Sequence, residues 1–188
     1  MRSMAHEVRF IMRTMPGVDT SEYEAAIPQL ELCIDKTHNA FDTFNASLEM
    51  AGNDPCVHLE DDIILCDHFV DRVIHEISKR PRDVIQFFSM RKDDLTIGSR
   101  YIPGSKFMMN QCYYIPPMMG PIMLDYSLHW EGLEDEPTGY DLMMADFFRL
   151  HKVKYWNVCP NLVDHKVCKS RINPKRSSKR QSLTFERK

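Results

Sequence analysis

Glycine is scarce in this chain, seven in 188 residues, and no two or three of them fall in a G-x-G-x-x-G or G-x-x-x-x-G-K-[ST] arrangement. Neither common phosphate-cradling loop is therefore available. No window of 18 consecutive apolar residues exists, which excludes a transmembrane helix on hydropathy grounds. The first nine residues lack an apolar stretch, so a secretory signal is not expected. The six cysteines (33, 56, 66, 112, 159 and 168) follow no framework spacing. They read as reduced thiols of a cytoplasmic protein, host cytoplasm if the source is viral. No internal repeat is visible.

What is present points to one globular domain. A hydrophobic fraction of 43% is too high for a disordered chain, and 188 residues suffice for one full core but not for two. The net charge of -3 conceals a division. Residues 166–188 hold nine Lys/Arg against one Glu, while the rest holds 15 basic against 26 acidic side chains. The expected organisation is a domain over 1–173 and a basic tail over 174–188, extended or disordered. Such a tail suits a polyanion, either a nucleotide diphosphate or nucleic acid.

Periodicity predicts alternating elements. Strands are expected at 8–12, 56–59, 83–89, 107–114 and 155–158. Helices are expected at 21–36 (restarting after Pro28), 39–51, from an Asp67 N-cap to 80, 116–130 and 140–151. Phe69, Val70, Val73, Ile74 and Ile77 should face inward on one of these helices, and Leu142, Ala145, Phe147 and Phe148 on another. The polar stretch 91–106 and the acidic stretch 131–139 read as loops. Strands alternating with helices predict an α/β fold, a mostly parallel Rossmann-like sheet flanked by helices. Ligands in such sheets sit beyond the carboxyl ends of the strands.

Glu60-Asp61-Asp62 falls at one of those ends, between two apolar runs. Three adjacent carboxylates repel one another, and a divalent cation is the usual partner for such a group. A solvated acidic turn is the plainer alternative. Other motifs lead nowhere. His58-Leu59-Glu60 lacks the Cys pair of a zinc deaminase. Cys159, His165 and Cys168 lack paired Cys spacing and a fourth ligand for zinc. Asn45-Ala46-Ser47 is a formal sequon inside an expected helix.

Three segments together resemble the GT-A glycosyltransferases. These are HLEDDIILCDHF (58–69), QCYYIPP (111–117) and TGYDLMMADFFRLHKVKYWNVCPNLVDH (138–165), spanning about 56–172 with their surroundings. The first is similar to the EDD form of the DxD motif in small lipopolysaccharide-modifying members, and bacteriophage enzymes that decorate modified DNA bases are similar too. The resemblance implies a GT-A-like single domain, a Mn²⁺ or Mg²⁺ ion and a nucleotide-sugar donor, a UDP-sugar first among candidates. It implies that Asp62 binds the metal with His165 completing the shell, and that Glu60 and Asp61 contact donor or metal-bound water. Imidazole suits Mn²⁺ better than Mg²⁺. Asp141, Asp135 or Glu136 would be the general base of an inverting enzyme, unless the enzyme is retaining and has none. The family pattern is an E-D pair, and Tyr140 stands before Asp141 here, so Asp141 is equally readable as a helix cap. Arg13, His38 and Asn39 are candidate nucleotide contacts. Lys166, Lys169 and Arg171 are candidates to close over the diphosphate. The acceptor would be a glycan or nucleic acid. A metal-dependent nuclease, or a non-enzymatic nucleic-acid-binding module, is the alternative.

Overall fold

A computed structural model describes residues 7–132, 139–168 and 180–187, and strict alternation of side chains along its central strands sets the architecture. In chain order the elements are β1 (Arg9–Thr14), α1 (Ser21–Ala26), β2 (Leu30–Ile34), α2 (Ala40–Ala51), β3 (Cys56–Glu60), β4 (Ile63–Leu65) and α3 (Phe69–Lys79). There follow β5 (Val84–Gln86), α4 (Asp94–Ile97), β6 (Arg100–Pro103), a 3₁₀ turn (Gly104–Lys106), β7 (Cys112–Ile115), α5 (Met119–Leu128), α6 (Gly139–Leu150), β8 (Lys154–Asn157) and β9 (Val163–His165).

Among the described residues, seven strands form one sheet in the order β2-β1-β3-β7-β5-β8-β6. Only β7 and β6 run against their neighbours, so β1, β2, β3, β5 and β8 share one direction. This is the expected mostly parallel, Rossmann-like α/β arrangement. Phe10, Met12, Val57, Leu59, Cys112 and Tyr114 face one core, shared with Tyr23 of α1 and Phe69, Val73 and Ile77 of α3. Tyr113 and Ile115 face the other core, filled by Phe41, Phe44 and Leu48 of α2, Met123 of α5 and the apolar stripe of α6. Because the pleat has a period of two, Arg13 and Glu60, paired in register on β1 and β3, point to this second side. β4 and β9 form a separate two-stranded ladder that pairs Ile63 with His165.

Four local expectations are corrected. The segment after Pro28 is strand β2, not helix: Leu30-Glu31-Leu32-Cys33-Ile34 alternates. The pairing with β1 is reinforced by Arg9 Nε donating to Glu31 Oε1 at 2.7 Å. The supposed loop 91–106 contains α4, edge strand β6 and the 3₁₀ turn. The nearly buried Asp94 carboxylate organises it, 2.8 Å from Arg100 and accepting from Asn157 at 3.2 Å. The inward stripe of α6 is Tyr140, Met143, Met144, Phe147 and Phe148, so Leu142 is left exposed. Asp67 does not cap α3: left-handed His68 holds the N-cap position, and Ile74 faces outward.

No described helix is long and apolar enough to cross a membrane. The domain boundary expected at 173–174 lies outside the described residues. Residues 180–187 lie against the domain. There Ser182 N–H donates to Asp164 Oδ1 at 2.6 Å, Asp67 N–H donates to the Arg187 carbonyl at 2.8 Å, and Phe185 packs on the first core.

A Cβ at Gly104 would stand 2.3 Å from Phe148 Cβ and 2.6 Å from the Val153 carbonyl oxygen, where the 3₁₀ turn meets α6. Gly104→Ala should lower stability by about 1–3 kcal/mol in urea unfolding; an unchanged midpoint would contradict this packing. His58 is wholly buried and stacked on Tyr113 at 5.2 Å, and neither ring nitrogen has a hydrogen-bond partner. Burial, helped by Arg13, lowers its pKa from 6.5 to about 3. The unfolded chain therefore takes up the proton first, and stability falls with pH below about 6.5 by up to about 1.4 kcal/mol per unit. Replacing the imidazole by a ring that does not titrate, in His58→Phe, should flatten the unfolding midpoint between pH 7 and 5.

Candidate functional site

The carboxyl ends of β1 and β3 and the chain entering β7 meet at one edge of the sheet, where Glu60 N–H donates to the Gln111 carbonyl at 2.9 Å. The three consecutive carboxylates leave this edge in three directions. Glu60 turns toward the α6 side. Its Oε1 accepts from the Tyr140 hydroxyl and lies 3.6 Å from Arg13 Nη2. Burial and repulsion from Asp62 push the Glu60 carboxyl above its usual range, against the pull of Arg13. Asp61 turns back to β1, where its Oδ2 accepts from Thr14 Oγ1 at 2.8 Å and from Met15 N–H at 3.4 Å. The Tyr23 hydroxyl braces the same turn, 2.6 Å from the Ile63 carbonyl oxygen and 2.9 Å from that of Asp61.

Asp62 faces β9. Its Oδ2 lies 3.0 Å from His165 Nε2 and 3.7 Å from Arg180 Nη2. The imidazole is fully buried, and its Nδ1 sits 2.5 Å from the Lys166 carbonyl oxygen. A carbonyl only accepts, so Nδ1 carries a proton and donates it. In the neutral ring, Nε2 then turns a lone pair toward a carboxylate oxygen. Two acceptors 3.0 Å apart need a cation between them, either a proton or a metal ion. The direction of the His165 pKa agrees: burial pulls it down, but the Asp62 carboxylate and the Lys166 carbonyl outweigh burial and raise it. Cys168 completes the group. One ligand atom from each of Asp62, His165 and Cys168 lies within 4.8 Å of the others.

The backbone of Lys166 assembles this cluster. Its N–H donates to the Asp62 carbonyl at 2.8 Å, and its own carbonyl takes both the imidazole and the Cys168 N–H, the latter at 2.8 Å. The Lys166 side chain pairs with Glu22 and lies 4.7 Å above the Tyr23 ring. A cleft of about 810 Å³ runs alongside, bordered by Glu22, Tyr23, Ile63, His68 and Lys166.

The other expected residues are scattered. Arg13 is buried beneath the edge, with Nη1 donating to Tyr113 Oη and Nη2 to the Asn110 carbonyl, both at 3.1 Å. Its guanidinium also stacks near Phe44 and Tyr140, 5.7 and 5.2 Å from the ring centres. Its position is that of a support for Glu60. Asn39 caps α2, its Oδ1 accepting from Phe41 N–H at 2.9 Å, and His38 is exposed beside it. Asp141 is buried in the first turn of α6, next to Tyr140. Asp135, Glu136, Lys169 and Arg171 lie outside the described residues.

Three contributors carry little signal in the sequence. Tyr140 stands there only as a departure from an expected pair, yet it is the hydroxyl that holds Glu60. Arg180 is one of many basic residues in the tail, yet it reaches Asp62. Cys168 lacks paired Cys spacing and a fourth ligand, yet it joins Asp62 and His165 in one group.

No protein-family model matches the chain, and no curated protein matches it in sequence. Among solved structures it is similar to A197 from STIV, with a TM-score of 0.51 and 14% identity over 96% of this chain and 95% of that one. A looser superposition relates it to apo UDP-glucose pyrophosphorylase, with a TM-score of 0.48 and 12% identity over 81% and 72%. At such identity the likeness to A197 speaks to the fold alone.

Proposed function

We propose that this chain is a metal-dependent glycosyltransferase that moves a sugar from a nucleotide-diphosphate sugar, a UDP-sugar first among candidates, to an acceptor hydroxyl. The observation that carries this reading is the approach of two potential metal-ligand atoms, Asp62 Oδ2 and His165 Nε2, to 3.0 Å on the carboxyl edge of the sheet. The donor set fits a divalent ion such as Mn²⁺, for which carboxylate and imidazole are suitable ligands. Bound there, such an ion would supply Lewis-acid stabilisation of the diphosphate leaving group. The adjoining cleft has the volume of a small-ligand site and brings Lys166 to its rim, which supports a place for the nucleotide.

The chain's own residues divide the remaining work. Asp62 and His165 hold the ion. Thr14 and the Met15 N–H fix Asp61, so the acidic turn cannot swing. Arg13 and Tyr140 hold Glu60 toward α6, which takes its charge away from Asp62 and leaves Asp62 to the ion. As the bond from the sugar carbon to the diphosphate oxygen breaks, the acceptor oxygen bonds to that carbon and its proton passes to a carboxylate. Asp141 is our candidate for that role: it is buried in the first turn of α6 beside Tyr140 in the chain, on an element separate from the leaving-group ligands.

Isothermal titration with Mn²⁺ and a UDP-sugar turnover assay test both assignments. Asp62→Asn and His165→Ala should abolish Mn²⁺-dependent cleavage of UDP-sugars. An Asp62→Ala protein that binds and cleaves donors as well as its parent would sink the reading. Asp141→Asn should keep Mn²⁺ binding and lower kcat by about 100-fold or more; full turnover in that variant removes Asp141 as the base.

A further inference from the structure

The cation position described above has a third side chain beside it that the glycosyl-transfer reading does not use. Cys168 brings sulfur to a group that otherwise offers only oxygen and nitrogen, with one donor atom from each residue inside 4.8 Å. The arrangement is built. The Lys166 carbonyl that fixes the imidazole through Nδ1 also accepts the Cys168 N–H at 2.8 Å, so a single peptide group turns the chain back and sets both donors. The Lys166 N–H ties the same turn to the Asp62 carbonyl at 2.8 Å. His165 is fully buried, and its Nε2 is aimed into the cluster with a carboxylate oxygen opposite it.

We propose that Cys168 is a metal ligand, making with Asp62 and His165 a mixed oxygen, nitrogen and sulfur site that selects a borderline transition ion such as Zn²⁺ or Co²⁺ over Mg²⁺. The chemistry follows from ligand softness. Mg²⁺ takes oxygen ligands in near-octahedral geometry and sheds its water reluctantly. Thiolate and imidazole suit Zn²⁺ and its neighbours, and three protein donors leave positions open for substrate oxygens. The thiol proton is released to bulk water as the metal–sulfur bond forms, so no oxidant or reductant is needed. Cys159 is not part of the group; its thiol lies 3.3 Å from Asn157 Nδ2. The inference rests on the proposed place of the ion but not on the identity of the reaction.

The test is titration of the whole chain with Co²⁺, followed by absorption spectroscopy. The parent should develop a thiolate-to-cobalt charge-transfer band. Cys168→Ser should lose the band, and Cys159→Ser should keep it. Competition should show that Cys168→Ser weakens Zn²⁺ binding by at least about tenfold and leaves Mg²⁺ binding unchanged. Circular dichroism of Cys168→Ser confirms that the variant is folded. Alkylation of the parent with iodoacetamide, mapped by mass spectrometry, gives a readout without any substitution: Zn²⁺ should protect Cys168 and not Cys159. A charge-transfer band that survives in Cys168→Ser, an unchanged Zn²⁺ affinity, or alkylation of Cys168 at equal rates with and without Zn²⁺ overturns the assignment. Those results leave glycosyl transfer at Asp62 and His165 standing. Conversely, a parent that shows the band but turns over no nucleotide sugar keeps Cys168 as a ligand and removes the transferase reading.

Discussion

Three carboxylates in a row at the end of a buried strand are the constraint around which this edge of the molecule is arranged. Unit charges about 4 Å apart near a protein surface repel by about 4 kcal/mol, a large share of a domain's net stability. The fold separates them by direction and gives each a different partner. Glu60 receives a guanidinium and a phenol, Asp61 a hydroxyl and a backbone N–H, and Asp62 an imidazole and a second guanidinium. The partners come from β1, α6, β9 and the segment 180–187, so elements far apart in the chain converge on one turn. The Arg13 side of this arrangement carries its own cost. A buried guanidinium is tolerable because two hydrogen bonds, aromatic faces and the Glu60 carboxylate all meet it.

Short apolar runs bounded by turn residues made β1, β3 and β8 legible, and the three-and-four spacing of Phe41, Phe44, Leu48 and Ala51 made α2 legible. The parallel α/β class followed from their order. The failures have local causes. Leu30 to Ile34 has an apolar content that suits helix or strand, and only pairing with β1 decides between them. Edge strand β6 is short and polar because it packs by one side, with Ile102 inward and Tyr101 half-exposed, so its pattern is diluted. On α6, Met143 and Met144 carry the buried stripe, and the tertiary fit of Tyr140 over Glu60 sets the helix rotation.

The candidate site divides in the same way. Asp62 and His165 were readable because each sits at a strand end within a recognisable order of motifs, and the fold brings their side chains together. Arg13 reads in the sequence as a nucleotide contact, and its depth is not visible there: only the register with Glu60 and the ring of Phe44, Tyr113 and Tyr140 determine that it points inward. Asn39 looked equally suited to a ligand or a cap, and its hydrogen bonds to the α2 N-terminus use it as a cap. Cys168 had no signal beyond its distance from His165. A thiol becomes a plausible ligand only when a backbone turn, here at Lys166, folds it back.

Arg180 Nη2 lies 3.7 Å from the Asp62 carboxylate, on a segment held to the domain at several points. Ser182, Thr184 and Phe185 anchor the segment that carries Arg180, so the guanidinium is a tethered counter-ion. Its effective concentration at the acidic turn does not depend on the surrounding salt. The turn is therefore tolerable without any free ion. An ion of the kind proposed would meet a pre-shaped carboxylate and imidazole with the guanidinium already beside them, and would have to displace or accommodate it.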